Sequence, residues 1–510
     1  FANLIPGHSR AIGKTGTSYI DDFESSKSTI DLKNVGSWFL ASTPQNQLDM
    51  FPEAVATSQL GFNFNRAKLA WYVIDPSVFY RNNNQLPENI TNDDISNHFT
   101  REVYEQEVFP NRQPANNLPS NIAVLNLAYY PKERGPYNYD VDGSEGFSLG
   151  LNADGTLVGP DSRWGGIMRR IESTDFEETN IEYIEFWMMD PFVYDPGATG
   201  GQIYIDLGDI SEDVLRDSRK SVENGLPPDG DTTGGIVDQT IWGLVPNLQP
   251  LTNSFDNNEA ARPYQDVGLD GLSNENENLF FSNYINNIIT HFGTGSGAYQ
   301  NAVADPSADD FYYFRGTQNP DNQKTILQRY KSYNGTDGNS PTDAQTQAEF
   351  GVNYPMQSTT IPDGEDINRD NTLSEGERYF QYRIDLTPSK MVIGQNYIAD
   401  ILDASTGRLP NGTSTTVKWY QFKVPVQSPD KIIGGIQDFK SIRFIRLFMR
   451  GFTDSVICRF ATLDLVRGDW RRYNYSLLSP GEYIPNDDQT LTTFDVSAVN
   501  LEENGQRSPV

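Results

Sequence analysis

The chain has 510 residues, enough for two to four domains with ample core. Its 39 basic and 69 acidic residues leave a net charge of −30, which argues against nucleic acid and anionic lipid as partners and favours divalent cations or basic partners, although a solvated acidic surface accounts for most of such an excess. The hydrophobic fraction is 37%, with 12% aromatic residues, 42 Gly and 30 Pro, the profile of an all-β protein with long, turn-rich loops. No run reaches the eighteen or so apolar residues of a membrane helix. The chain opens at Phe1 without a charged-then-apolar leader, so it reads as a segment of something larger. A single cysteine, Cys458, rules out an internal disulfide and reads as a core thiol; with only three histidines beside it, a zinc site is a poor fit.

In chain order, residues 19–24, 38–41 and 69–74 read as short strands. Ile95, Phe99 and Val103 recur every fourth residue behind a cap at Thr91, Asn92 or Asp93, which predicts a helix ended by Pro110. An apolar strand at 123–130 runs into a turn at Gly135-Pro136, and 169–171, 181–189 and 202–207 complete a sandwich. Ser211, followed by Glu212 and Asp213, predicts a helix from there to about Asn224, stopped by Gly225. Residues 226–265 are rich in Pro, Gly, Asp and Asn and read as a boundary. Phe281, Tyr284, Ile285 and Ile288 have helical spacing, and 300–360 is polar and irregular. From Tyr379 the chain alternates: Phe380, Tyr382, Ile384 and Leu386 face one way, while Gln381, Arg383 and Asp385 face the other. Residues 419–426 form a further strand, with Pro425 at an edge or exit, and the tail after Pro480 is loop-like.

Two stretches resemble one another. Residues 181–189 followed by 201–207, and 442–449 followed by 458–465, are each entered from an Asp-Phe pair (Asp175-Phe176, Asp438-Phe439), and each closes on an acidic-aliphatic strand. The pattern reads as a duplicated structural platform, not one large catalytic domain. The expected fold is mainly β: two jelly-roll-like antiparallel β-sandwich lobes with long loops and a few short helices. Lobe one spans 1–225 with a helical insertion, a loop-rich connection spans 226–378, lobe two spans 379–475, and a tail spans 476–510.

The sharpest local motif is 366–377, which fits the twelve-residue calcium loop. Asp366, Asn368 and Asp370 occupy places one, three and five, Thr372 offers its carbonyl at seven, and Glu377 stands at twelve, where a bidentate carboxylate closes the shell. Asn371 replaces the usual Gly, but Asn tolerates the left-handed conformation the turn needs. A strand follows, so a lone loop is expected, not a paired helix-loop-helix sensor. A weaker relative is 266–277, where Asp266, Asp270 and Glu277 keep the spacing and Gly271 holds the turn; Gly268 removes one ligand. Calcium, in a structural role, is the cofactor these loops imply; the bland reading is two acidic turns.

No nucleophile constellation or phosphate loop stands out, and the Gly-rich run 293–297 lacks the strand-to-helix context such a loop needs. Sequence cannot pick a glycosidase carboxylate pair out of 69 acids. Trp38, Trp164, Trp187 and Trp419 could stack on sugars, although core packing is the commoner use of a strand Trp. No catalytic residue is assigned.

The stretches 129–139 (YYPKERGPYNY), 181–187 (IEYIEFW), 206–214 (DLGDISEDV), 265–272 (QDVGLDGL) and 465–473 (LVRGDWRRY) together resemble the SprA (Sov) family, the giant outer-membrane translocon of the type IX secretion system in Bacteroidetes. The resemblance runs from the strand at 21–24 to Tyr473. It implies a very large single-chain β-barrel that conducts folded proteins to the cell surface and serves gliding motility. A regular series of barrel hairpins is missing here, so the resemblance implies a soluble cap or insert outside the bilayer, extracellular rather than periplasmic. Its partners would be other secretion-system proteins and secreted cargo, with no nucleic acid and with membrane contact only through the rest of the barrel. No catalytic residues transfer, so no enzyme activity is expected. The rival reading is a carbohydrate-binding or glycan-hydrolysing surface protein, which requires an exposed aromatic platform or a paired-carboxylate cleft.

Overall fold

The computed structural model describes residues 29–80, 86–112, 120–248, 254–256, 258–314, 324–334, 344 and 362–468. The expected strand at 19–24, the motif residues 469–473 and the tail lie outside the described residues. Among the described residues are fifteen strands: β1 (Thr29–Asp31), β2 (Phe39–Leu40), β3 (Ala67–Tyr72), β4 (Leu125–Arg134), β5 (Trp164–Arg170), β6 (Ile181–Met189), β7 (Gly201–Asp209), β8 (Val237–Gln239), β9 (Leu244–Pro246), β10 (Arg378–Leu386), β11 (Ile398–Ser405), β12 (Thr416–Pro425), β13 (Lys431–Ile433), β14 (Phe444–Arg450) and β15 (Val456–Arg467). The α-helices are short: α1 (Pro76–Phe79), α2 (Glu105–Val108), α3 (Arg262–Gln265), α4 (Asn274–Phe280), α5 (Ser282–Phe292), α6 (Gly297–Ala304) and α7 (Ile326–Lys331).

Two large antiparallel sheets and one hairpin result. The first runs β11-β12-β6-β15-β4-β3, with β1 also on β15; the second runs β13-β10-β7-β14-β5-β2; β8 pairs with β9. Strand alternation puts Ile203, Ile205 and Leu207 of β7, Phe380, Tyr382 and Ile384 of β10, and Ile445, Leu447 and Met449 of β14 into one core. Ile184, Phe186, Phe422, Leu463 and Leu465 of the other sheet join the same core. Phe186 stacks on Phe422 at 4.7 Å across β6 and β12, one of the cross-strand aromatic pairs that add about 0.5–1.5 kcal/mol beyond area burial. Cys458 is buried in this core, as its strand position predicts.

The mainly antiparallel β class follows the sequence reading, but the division into two lobes does not. Strands from 1–225 and from 379–475 pair directly: β6 lies between β12 and β15, and β7 between β10 and β14. The reason lies in the two similar stretches. In each, the first and second strands enter different sheets, so neither stretch can close a sandwich alone. The first strand of one copy pairs with the second strand of the other, β6 with β15 and β14 with β7. This is the pairing a local two-fold axis would give, and it makes one interlocked sandwich.

Two expected helices do not form. After β7, the carboxylate of Glu212 accepts N–H groups of Asn368 and Ser374, and that of Asp213 accepts those of Asp217 and Ser218. Arg216, Ser218 and Ser221 take positive φ, so the chain from Ser211 coils and keeps only a short turn at Glu223–Gly225. Around Phe99, the guanidinium of Arg459 captures the carbonyls of His98 and Arg101, which a helix would have used internally. Only the turn Asp94–Ser96 and α2 remain. The helix expected from Tyr284, Ile285 and Ile288 does form, as α5, and buries all three.

The outer face of the second sheet carries a buried ion triad. Arg446 on β14 donates to Asp206 Oδ2 on β7 at 2.9 Å and to Glu377, just before β10, at 2.9 and 3.2 Å. Both Arg446 and Asp206 are 0 % exposed. Gln381 donates to Asp206 and the Ser211 N–H to Glu377, which satisfies the remaining lone pairs. Burial opposes the guanidinium charge, but Glu377 and Asp206 hold Arg446 protonated beyond its ordinary range. Arg446→Met strands two carboxylates in the interior and is expected to cost about 3–5 kcal/mol in denaturant unfolding. Adding Asp206→Asn and Glu377→Gln to that variant should recover most of the loss. An Arg446→Met protein as stable as the parent would contradict this view of the triad.

Candidate metal centre

The segment 262–310 brings three carboxylates into one buried group. α3 ends at Gln265, the chain loops through 266–273, and α4 begins at Asn274 with Glu277 in its first turn. Gly271 has φ +66°, the left-handed turn expected of it, and an added Cβ there would meet the Leu244 carbonyl oxygen at 2.3 Å. The turn points Asp270 inward, toward Glu277. One carboxylate oxygen from each of Asp270, Glu277 and Asp309 lies within 4.8 Å of the others, and all three residues are buried.

Asp309 was not legible as a ligand from the spacing of the loop, yet the loop makes room for it. A Cβ at Gly268 would sit 2.0 Å from Asp309 Oδ2. The third place of the loop, where Gly removes a side chain, is thus filled by a carboxylate from the segment after α6. Asp309 is only 6 % exposed, and its Oδ2 has no hydrogen-bond partner. The acid-rich run at 305–310 (Asp305, Asp309, Asp310) was the available sequence signal.

The surroundings orient this group without neutralising it. Asp270 accepts from the Leu272 N–H at 2.9 Å and the Ser307 hydroxyl at 2.6 Å, and Glu277 accepts from the Ser307 N–H at 2.9 Å. A cavity of about 480 Å³ opens beside it, with Glu223, Asp266, Glu277, Asp309, Asp310 and Asp363 among its walls and no lysine or arginine among the described residues lining it. Hard oxygens from several chain segments, access for water and no competing cation make an arrangement suited to a divalent cation.

Asp266, the first residue of the loop, points elsewhere. It faces Arg262 at 3.5 Å, on the cavity wall. Glu223 takes the role of loop clamp: its carboxylate accepts from the N–H groups of Val267 and Gly268 and, at 2.9 Å, from that of Asp363.

The loop at 366–377 divides. Asp366 accepts from the Asp370 and Asn371 N–H groups at 3.1 and 2.9 Å, Asn368 from the Asp370 N–H at 2.8 Å, and Asp370 from the Thr372 N–H at 2.8 Å. Asn371 has φ +66°, as the turn requires. These residues form one turn, followed by β10. Glu377 is drawn away by Arg446 and does not close the loop; Glu212 reaches the loop instead, accepting from the Asn368 N–H at 3.1 Å.

The four tryptophans considered for sugar stacking are packed inside: Trp38, Trp164, Trp187 and Trp419 are all at most 4 % exposed. The aromatic platform required by the glycan reading is not built from them.

Burial lifts the Asp270 carboxyl to about 7 and the Glu277 carboxyl to about 9, and it carries Asp309 well above the usual range; neighbouring acids add to each shift. In the unfolded chain such groups titrate near pH 4. The folded state therefore binds more protons, and stability falls as pH rises from about 4 through the native values. In chelator, the melting temperature should drop between pH 5 and pH 8. Asp309→Asn should gain roughly 1–2 kcal/mol at pH 8 and nothing at pH 5. A flat pH profile in calorimetry would contradict the uncompensated cluster.

Over residues 283–510 the chain matches the SprA_N family, described as motility related/secretion protein. No curated protein matches the chain. The match takes in α6, Asp309 and all of β10–β15; the loop 266–277 precedes it. A secretion-related family fits a place in the cell envelope and contact with secretion machinery, and the description names no reaction. Among the described residues, no helix is long and apolar enough to cross a membrane. Over this region the chain is similar to the SprA/Sov-type family of motility- and secretion-related proteins.

Proposed function

We propose that the chain is a non-catalytic structural segment, a cap or soluble insert, of an outer-membrane channel that conducts proteins in type IX secretion and serves gliding motility. The observation that carries this reading is the match to a motility- and secretion-related family over 283–510. The interlocked sandwich supports it physically. A body whose sheets each draw strands from both ends of the described chain resists partial opening, as a fixed surface beside a moving cargo must. The segment lies outside the bilayer, on the extracellular side, and meets secretion-system proteins and cargo.

Calcium is the cofactor of this reading. Asp270, Glu277 and Asp309 would hold it, with water entering through the adjoining cavity; Asp266 and the turn at 366–372 contribute no carboxylate to that group. The ion would supply the positive charge that the cluster lacks and tie the 266–277 loop to the segment after α6. The buried tryptophans take the expected stacking platform away from the glycan reading.

A strain whose only copy carries Arg446→Met tests the role. Export of secreted proteins and colony spreading should fail above the temperature at which this segment unfolds and persist below it. Normal export with the segment unfolded would contradict the structural role. Calcium added to the purified chain at pH 8 should raise its melting temperature, and Asp309→Asn should make that rise smaller; an unchanged melting curve would count against the ion.

A further inference from the structure

We propose a second calcium site, formed by Asp213, Asp217 and Glu365, which clasps the segment after β7 to the segment leading into β10. It is independent of the centre at Asp270. One carboxylate oxygen from each of the three residues lies within 4.8 Å of the others. Glu365 is 1 % exposed; its Oε1 accepts from the Leu215 N–H at 2.8 Å, while Oε2 has no hydrogen-bond partner. Asp217 Oδ2 is likewise buried without a partner. A buried carboxylate oxygen without a hydrogen bond is costly, so two of them beside a third carboxylate favour a positive ion at this place.

The nearest guanidinium groups make their contacts outside the group: Arg216 donates to the carbonyls of Ala54 and Ala56, and Arg219, whose charge is felt at Asp217, pairs with Asp238 at 3.4 Å. The backbone holds the geometry. Asp213 is fixed by the N–H groups of Asp217 and Ser218, both at 3.0 Å, and Glu365 by its own N–H to the Lys220 carbonyl at 3.0 Å, next to the bridge between Val222 and Gly364. Every donor is a carboxylate oxygen. No imidazole or thiolate takes part, so the class of ion is a hard divalent cation; the loose, backbone-pinned arrangement favours calcium over the strict octahedron of magnesium.

The test uses the full chain and calcium alone, counted by native mass spectrometry. Glu365→Gln and Asp217→Asn should each lower the number of bound ions by one. Asp309→Asn should remove a different ion, and Asp309→Asn combined with Glu365→Gln should remove both. If the first two variants bind as many ions as the parent, the site is overturned, whatever Asp309→Asn does. If Asp309→Asn alone has no effect, the Asp270 centre fails and this site stands. Crystals of the unmodified protein soaked in terbium give an answer that does not depend on any variant folding. An anomalous peak among the three carboxylates supports the site, and its absence overturns it.

Discussion

Each similar stretch of this chain places its two strands in different sheets, and most of the architecture follows from that. A strand pair that stayed in one sheet could seed its own lobe. Here β6 and β7 part company across the core, as do β14 and β15, and each strand finds its ladder partner in the other copy. Backbone groups in a buried strand must be paired, so neither copy is complete without the other. The long connections between them are tolerated because loop closure grows only slowly in cost with length.

The interior carries charge in two different conditions. On the outer face of the second sheet, Arg446 stands between Asp206 and Glu377, and neighbouring amides complete the shell. Such a triad fixes the register of β7 against β14, since a slip of one residue would turn Arg446 into the apolar core. At Asp270, Glu277 and Asp309, and again at Asp213, Asp217 and Glu365, carboxylates gather without a central arginine among the described residues. The acidic excess seen in the composition is therefore not all solvated surface; some of it is gathered where the chain folds back on itself.

The sequence reveals local features better than long-range ones. The alternation in β10, the spacing in α5, the turn at Gly271 and the left-handed Asn371 are dictated within a few residues, and the structure has them. What failed depended on distant partners. The helices expected at 91–110 and from Ser211 lose their backbone groups to Arg459 and to the carboxylates of Asp213 and Glu365. Glu377 fitted the twelfth place of a calcium loop by spacing alone, but a buried arginine on β14 outcompetes that role. Asp309 and Glu365 are invisible to motif spacing because each reaches its group from another segment. The two-lobe division failed for the same reason, since β6 and β15 pair across 272 to 286 residues.

The architecture is that of one interlocked body. The central claim is that the two halves of the sandwich have no separate stability. Native-state hydrogen exchange, followed by mass spectrometry through a denaturant series, measures this directly. The account predicts that amides of β6, β7, β14 and β15 open together, with one free energy and one dependence on denaturant. Persistent protection of 181–209 after 444–467 has exchanged would contradict it.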